Sequence, residues 1–349
     1  MKYNIIKESE DHILNSDHNP YVEAFWKWWP EAYKHMHTFR ITGGEPLLVK
    51  DTWKVIDFLL ENPNPNLHFA INSNGCPPDG LWLKFVDKIR QLQENKCIKS
   101  FILFTSAEST GERNDYVRYG MNYDLWKKNI EYFLRNTEGT GVTIMSAFNV
   151  FSVTTWKEML EWVLQLKQDY NYSGWDKWIL DSGIPREPKR NALPMNHRTN
   201  EKYDKRNRVI IDTPYLRHPS FLDANIITMD MVEQYLIPSM DFVFDNVGTG
   251  DWKANKGFDD WEAVKMRRNL VGIVQKAKAH EGDNLTILNS IRINRARFYD
   301  FVNEYDRRRN TNFVEIFPEY TDFYELCKQE HKIYYDKIEA KKNAKTGNN

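Results

Sequence analysis

Cysteine is nearly absent: Cys76, Cys97 and Cys327 are the only three in 349 residues, with no CxxC spacing among them. That leaves neither a disulfide framework nor a cysteine-based metal site visible. Long hydrophobic runs are absent too, since no stretch approaches the roughly 20 apolar residues of a membrane span. The opening MKYNIIKESEDH places acids where a signal peptide has its apolar segment, so the expected compartment is cytoplasmic. Charge of one sign is also lacking. Lysine and arginine number 48 against 49 aspartates and glutamates, a net charge of -1, and no long-range field invites nucleic acid or an anionic membrane. What the chain does have is bulk for a core, in 12 Trp, 18 Tyr and 19 Phe, enough for one large domain with additions.

Strand and helix signals alternate from about residue 37 to 168. HTFRIT (37–42) reads as a strand, and Asp51 is placed to cap a helix bearing Trp53, Ile56 and Leu60, stopped by NPNPN (62–66). LHFAIN (67–72) is the next strand, followed by a helix with Trp82, Phe85, Val86 and Ile89 on one face. IKSFILFT (98–105) is a continuous apolar run of the kind buried on both faces. Trp126, Ile130 and Phe133 mark a third helix. VTIMSAFNV (142–150) is a strand, and Thr155 with Glu158 forms a capping box for a fourth helix. Strict succession of this kind predicts parallel strands with right-handed crossovers. A polar excursion follows over 182–208, then a short strand VIID (209–212). Helices are predicted near 229–239, 259–279 and 287–307, with a last segment through FPEYTDFYELC and a disordered tail at 341–349. The domain reading is a core over 1–220 and a helical extension over 221–340.

Ligands of parallel α/β folds sit at the C-terminal ends of the strands. Here those ends carry Gly43, Gly44, Glu45 and Pro46; then Asn72, Ser73, Asn74 and Gly75; then Ser106, Glu108 and, further on, Arg118; then Asn149; and finally Thr213 to Pro219, including Tyr215. Each piece has an ordinary reading: glycine pairs and NSNG make turns, Ser106 can cap a helix, and an exposed arginine pairs with a neighbour. Taken together they suggest one polar ligand, amino-acid-like or nucleoside-like, across the mouth of a barrel or half-barrel.

TGGEPLL, a strand ending in NSNG, and SAE followed by GERNDYVRYG resemble the radical S-adenosylmethionine (radical SAM) enzymes over roughly residues 21–220. FVNEYDRRRNTNFVEIFPEY (301–320) is similar to a closing segment of twitch-type members. The resemblance implies an α/β partial TIM barrel of (β/α)6 type. It implies that S-adenosylmethionine is held at its amino group by Gly43, Gly44, Glu45 and Pro46, beside the second-strand loop Asn72, Ser73 and Asn74. Ser106, Glu108 and Arg118 would serve ribose and carboxylate, with Asn149 and the backbone near Tyr215 toward ribose and adenine. The family's reaction is reductive cleavage of S-adenosylmethionine to a 5'-deoxyadenosyl radical that abstracts hydrogen from a substrate, small molecule or peptide.

The departure from the family is equally specific. Its CxxxCxxC motif, whose three thiolates hold a four-iron, four-sulfur (4Fe-4S) cluster, belongs before GGEP, where this sequence has no cysteine. NPYVEAFWKWWPEAYKHMHTFRIT resembles the helix and second strand after that loop, so the first barrel strand is expected to be missing, leaving an exposed edge with marginal stability or dimerisation. Cys76 is an incidental loop cysteine on this reading, and His35 and His37, alternating on a strand edge, lack a third ligand. The chain is then expected to be inactive alone, with a complementing N-terminal fragment or an electron donor as its expected partner. Two other readings stand beside it: a non-catalytic module binding S-adenosylmethionine or a peptide, and an unrelated hydrolase or lyase using Glu45 or Glu108 as acid or base.

Overall fold

The computed structural model describes residues 19–171, 208–248, 257–279 and 285–346. Five parallel strands form one sheet: β1 (Thr38–Ile41), β2 (Asn64–Asn72), β3 (Ile98–Ser106), β4 (Gly141–Met145) and β5 (Val209–Asp212). They lie side by side in chain order, and the described residues contribute no sixth strand. Between them run helices α1 (Pro20–His35) ahead of β1, α2 (Lys50–Glu61), α3 (Asp79–Glu94), the short α4 (Gly111–Val117), α5 (Tyr123–Asn136) and α6 (Trp156–Tyr170). The polar excursion of 182–208 lies outside the described residues except for Arg208, and so does the stretch before residue 19.

Strands in chain order with right-handed crossovers send every connecting helix to the same face of the sheet. That face is built from Phe39, Ile41, Phe69, Ile71, Phe101, Leu103, Thr105, Val142, Ile144, Val209 and Ile211, in cross-strand register. Trp29 of α1 lies 4.5 Å from Phe39 ring to ring, Phe85 of α3 lies 5.9 Å from Phe101, and the Trp126 indole of α5 donates to Thr105 Oγ1 at 2.7 Å. The opposite face carries Arg40, His68, Asn72, Ser100, Ile102, Phe104, Ser106, Met145 and Asp212, most of them half-buried or exposed. This corrects the expectation that β3 is buried on both sides. Leu103 is fully covered, whereas Ile102 and Phe104 are only half-buried.

The β5 edge is closed by side chains instead of a sixth strand. Val209 N–H donates to Asn171 Oδ1 (3.0 Å) and Ile211 N–H to Glu262 Oε1 (2.8 Å), while Lys167 Nζ donates to the Val209 carbonyl (2.9 Å) and to Glu262 Oε2 (2.9 Å). Lys167 and Glu262 side chains are completely buried. Glu262 comes from α8 (Asp260–Ala279), which follows Met229–Met231, a π-helical turn Val232–Leu236 and α7 (Ile237–Asp245), so the helix expected over 229–239 is interrupted and longer. Then come α9 (Leu285–Arg309) and α10 (Thr321–Thr346), packed on each other. Helix α10 continues through Thr346, where a disordered tail was expected from 341; residues 347–349 lie outside the described set.

Two local expectations fail for the same reason, that a distant partner outbids the local cap. Asp51 leaves the start of α2 to Val49 and accepts from Trp26 Nε1 at 2.9 Å. Thr155 makes no side-chain cap on α6; it pairs with Ser109 Oγ at 2.7 Å, and Glu158 accepts from Thr110 Oγ1 at 2.7 Å. His35 ends α1 and is no strand residue.

The buried ions near the β5 edge make stability depend on pH. Burial raises the Asp259 carboxyl to about 6, with Lys167 opposing and Glu262 adding to the rise. A carboxyl raised in the folded state contributes stability fully present below its unfolded pKa of about 4 and lost as pH climbs through the folded value. Asp259→Asn is therefore expected to raise the urea midpoint above pH 6, a gain that vanishes by about pH 4. Lys167→Met leaves two carboxylates facing each other in the interior and is expected to cost about 3–5 kcal/mol at pH 7 in the same titration.

Candidate functional site

The loop after β1 turns on two glycines in the left-handed region, Gly43 (φ +99°) and Gly44 (φ +50°), and a Cβ built on either meets nothing within 4 Å. The backbone conformation requires glycine, and the space in front is open. Glu45 then caps the short helical turn Pro46–Leu48: its Oε1 accepts from Leu47 N–H (3.1 Å) and from Ser73 Oγ (2.9 Å), and its Oε2 from Asn74 N–H (2.7 Å). One carboxylate thus clasps the first loop to the second.

The second loop is fixed from below. Ser73 N–H donates to the Phe104 carbonyl (2.9 Å), and Gly75 (φ +73°) lies so close to α5 that an added Cβ would come within 2.6 Å of Trp126 Cδ1. Asn129 Nδ2 holds the Gly75 carbonyl at 2.9 Å. Cys76 closes the turn through its N–H to Asn74 Oδ1 (2.8 Å), and its Sγ donates to the Asn122 carbonyl (3.3 Å). Burial raises its thiol pKa, opposed by the bond to the Asn122 carbonyl and reinforced by Asp115 and Glu45.

After β3, Glu108 and Arg118 meet. Arg118 grips Glu108 through both Nε and Nη2, the latter at 2.6 Å, with Glu108 nearly buried and Arg118 31% exposed. Asn114 Oδ1 accepts from the Glu108 and Ser109 N–H groups at 3.1 and 3.3 Å, shaping the loop. Ser106 ends β3 on the open face, opposite Met145. Asn149 instead spends its amide on its own loop: Oδ1 accepts from Phe151 N–H (2.9 Å) and Nδ2 donates to the Ala147 carbonyl (2.8 Å). The Tyr215 hydroxyl donates to Asp223 Oδ1 at 2.6 Å, and burial, followed by that aspartate, raises its pKa.

Neighbouring loops join around the rim. Glu45 links the first two, Ser109 with Thr155 and Thr110 with Glu158 link the third to the fourth, and Phe148 links the fourth to the fifth through its N–H to the Pro214 carbonyl (2.8 Å) and its carbonyl from Leu216 N–H (3.0 Å). The C-terminal segment locks this rim from outside. Glu319 takes both Arg113 Nε (2.6 Å) and Nη2 (2.8 Å) as well as Thr154 Oγ1 (2.7 Å), and the Tyr320 and Tyr305 hydroxyls donate to the Val150 and Tyr116 carbonyls. Arg113, Thr154 and Glu319 escape a reading of the strand ends because their partners lie up to 206 residues apart.

The sequence reading also passes over Arg40. It stands exposed on the open face with its guanidinium 3.6 Å above the Phe104 ring, Nε donating to Asn72 Oδ1 at 2.6 Å and Nη2 reaching Met145 Sδ at 3.9 Å. The one available signal is a charge between Phe39 and Ile41. An apolar recess opens between Phe148, Trp156, Leu236, Met240, Met266 and Leu270, beside the β5 edge.

Among the described residues no three His, Cys, Asp or Glu side chains group as metal ligands, and no helix is long and apolar enough to cross a membrane. No family model, curated protein or solved structure matches the chain.

The two kinds of glycine separate by substitution. Gly43→Ala bears only the backbone cost of a left-handed residue, about 1–2 kcal/mol. Gly75→Ala adds overpacking against Trp126 and is expected to lose about 2–5 kcal/mol in total. Chemical denaturation of both variants checks the difference, which disappears if Trp126 can swing aside freely.

Proposed function

We propose that this chain is a radical SAM-type partial (β/α) barrel that binds S-adenosylmethionine across its rim and, by itself, does not cleave it. The observation that supports the reading is that the first strand-end loop is hydrogen-bonded to the second, the third to the fourth and the fourth to the fifth, at one end of the sheet. The motif resemblance supplies the ligand. The backbone of Gly43 and Gly44 borders open space, as a closely bound amino-acid moiety requires. Glu45 already accepts three hydrogen bonds, and a carboxylate offers about four acceptor positions, so one remains for an ammonium N–H. Arg118, partly exposed and held in plane by Glu108, is the group to meet the carboxylate, with Ser106 next to the ribose.

A 4Fe-4S cluster does not fit these residues. Cys97 is buried just ahead of β3, at the opposite end of a nine-residue strand from the rim, and Cys327 is buried within α10. Cys76 alone belongs to the rim, and one thiol does not replace three thiolates. Without a cluster there is no entry for the electron that reductive cleavage needs, so the chain's own residues bind and orient the nucleoside. A substrate, small molecule or peptide, would lie on the open face below it.

Calorimetric titration of the purified chain with S-adenosylmethionine is expected to saturate at one site, with displacement by S-adenosylhomocysteine. Gly43→Ala, folded by circular dichroism, is expected to bind at least tenfold more weakly. Absence of saturable binding to the folded wild type, or unchanged binding to Gly43→Ala, overturns the reading. Anaerobic treatment with iron and sulfide is expected to give no iron–sulfur absorbance, and a stable cluster on the chain alone contradicts the cysteine argument.

A further inference from the structure

Large apolar side chains gather on the solvent side of the helix layer, where α2 and α3 begin. Leu48 and Val49, which lead into α2, are 62% and 47% exposed, and Leu83, near the start of α3, is 50% exposed. Two half-buried indoles lie among these segments, each fixed by its N–H. Trp26 Nε1 donates to Asp51 Oδ1 and Trp53 Nε1 to the Leu47 carbonyl, both at 2.9 Å. Over each ring stands a lysine: Lys54 Nζ is 4.1 Å from the Trp26 ring centre, and Lys84 Nζ is 4.5 Å from that of Trp53. These contacts join α1 to α2 and α2 to α3 in one surface. An exposed leucine by itself is ordinary, whereas apolar residues grouped across three helices and bordered by charge mark a contact region.

We propose that this surface docks an acidic amphipathic helix of a partner protein, whose apolar stripe covers Leu48, Val49 and Leu83 and whose carboxylates meet Lys54 and Lys84. Charge complementarity carries the choice of partner. Among the described residues neither ammonium is paired with a carboxylate, whereas Lys88, one turn beyond Lys84, is held by Asp57 at 2.5 Å. Lys50, Lys54 and Lys84 outnumber Asp51 and Asp79 in the two helix starts, and Asp51 is already bonded to Trp26. An ammonium resting on an indole keeps N–H groups for an incoming carboxylate, and the ring holds it in position beforehand. Spacing fits as well. Lys54 stands between α1 and α2, and Lys84 between α2 and α3, so the cations are about one helix spacing of 8–10 Å apart, which the roughly 10–12 Å width of a docked helix spans. Fixed tryptophans beside leucines supply the apolar centre, and the lysines the charged border, that such interfaces have. Leu48 belongs to the helical turn capped by Glu45, so the partner would rest against the first loop of the rim from outside. The surface does not depend on nucleoside binding at the rim.

The test titrates the full chain with a synthetic amphipathic helix of leucine and glutamate, and with the same helix in leucine and lysine, while observing the indole N–H resonances of Trp26 and Trp53. The acidic helix is expected to shift both resonances saturably and to bind more weakly as salt is raised. The basic helix is expected to leave them unmoved. The double variant Lys54→Glu, Lys84→Glu, folded by circular dichroism, is expected to weaken binding of the acidic helix about tenfold or more by calorimetry. Leu48→Ser with Leu83→Ser keeps the charges and is expected to weaken it several-fold. Lys276→Glu with Lys278→Glu, exposed on α8, is expected to change nothing. No saturable shift, equal binding of the basic helix, or undiminished binding in the Lys54, Lys84 double variant each overturns the proposal. So does self-association of the chain in sedimentation equilibrium that Leu48→Ser with Leu83→Ser abolishes, which assigns the face to a second copy. Tighter binding to phosphatidylglycerol vesicles than to the acidic helix, lost in the lysine double variant, assigns it to a lipid surface and overturns the proposal equally.

Discussion

The molecule is organised by one packing constraint: parallel strands laid down in chain order can bury only one face of their sheet under the helices that connect them. The face carrying Phe39, Phe69, Phe101 and Ile144 takes that role, and rings from α1, α3 and α5 interlock with it. With the apolar work done on one side, the other side holds the polar side chains Arg40, His68, Asn72 and Ser106, Arg40 bonded to Asn72 and His68 to Ser100. A doubly wound sheet reverses strand order and creates a crevice at the reversal. Among the described strands there is no reversal, and the candidate site lies along their C-terminal ends.

Spreading a site over five loops makes their mutual alignment the problem to solve, because loops are the most mobile parts of a fold. The solution is hydrogen bonds between the first and second loops and from the third through the fifth, together with an external brace. Glu45 stitches the first pair, hydroxyls of Ser109, Thr110 and Thr155 stitch the middle, and backbone bonds around Phe148 close the far end. The segment around Glu319 and Tyr320 reaches back from the far end of the chain to the third and fourth loops, so the helical extension braces these loops as well as adding to the core. Phe313 and Phe317, packed against Phe151 and Tyr116, supply the apolar part of that brace.

Much of this was legible from residue types in order. VIID marked β5 to the residue, apolar spacing marked α3 and α5, and the turn-rich strand ends marked the rim. Hidden were features set by partners remote in sequence. Nothing local says that Asp51 serves Trp26, that Thr155 serves Ser109, or that Lys167 and Glu262, 95 residues apart, form a buried pair. The face to which Arg40 points becomes visible only once the register with β2 and β3 is known, because the strand alone is four residues long and two of those four are polar. The π-helical turn at Val232–Leu236 is likewise set by packing, since its apolar spacing suits an ordinary helix equally well.

The closed β5 edge also bears on how such a fold can vary over generations. Asn171, Lys167 and Glu262 occupy backbone positions that an added strand would need; exchanging Lys167 or Glu262 alone strands an ion in the interior, and exchanging Asn171 leaves the Val209 N–H unpaired. Inherited change at this border is therefore penalised along nearly every single-substitution route, whereas exposed rim positions without such partners are less constrained. The architecture behaves as a ratchet, with its boundary held fixed while the repertoire above it drifts.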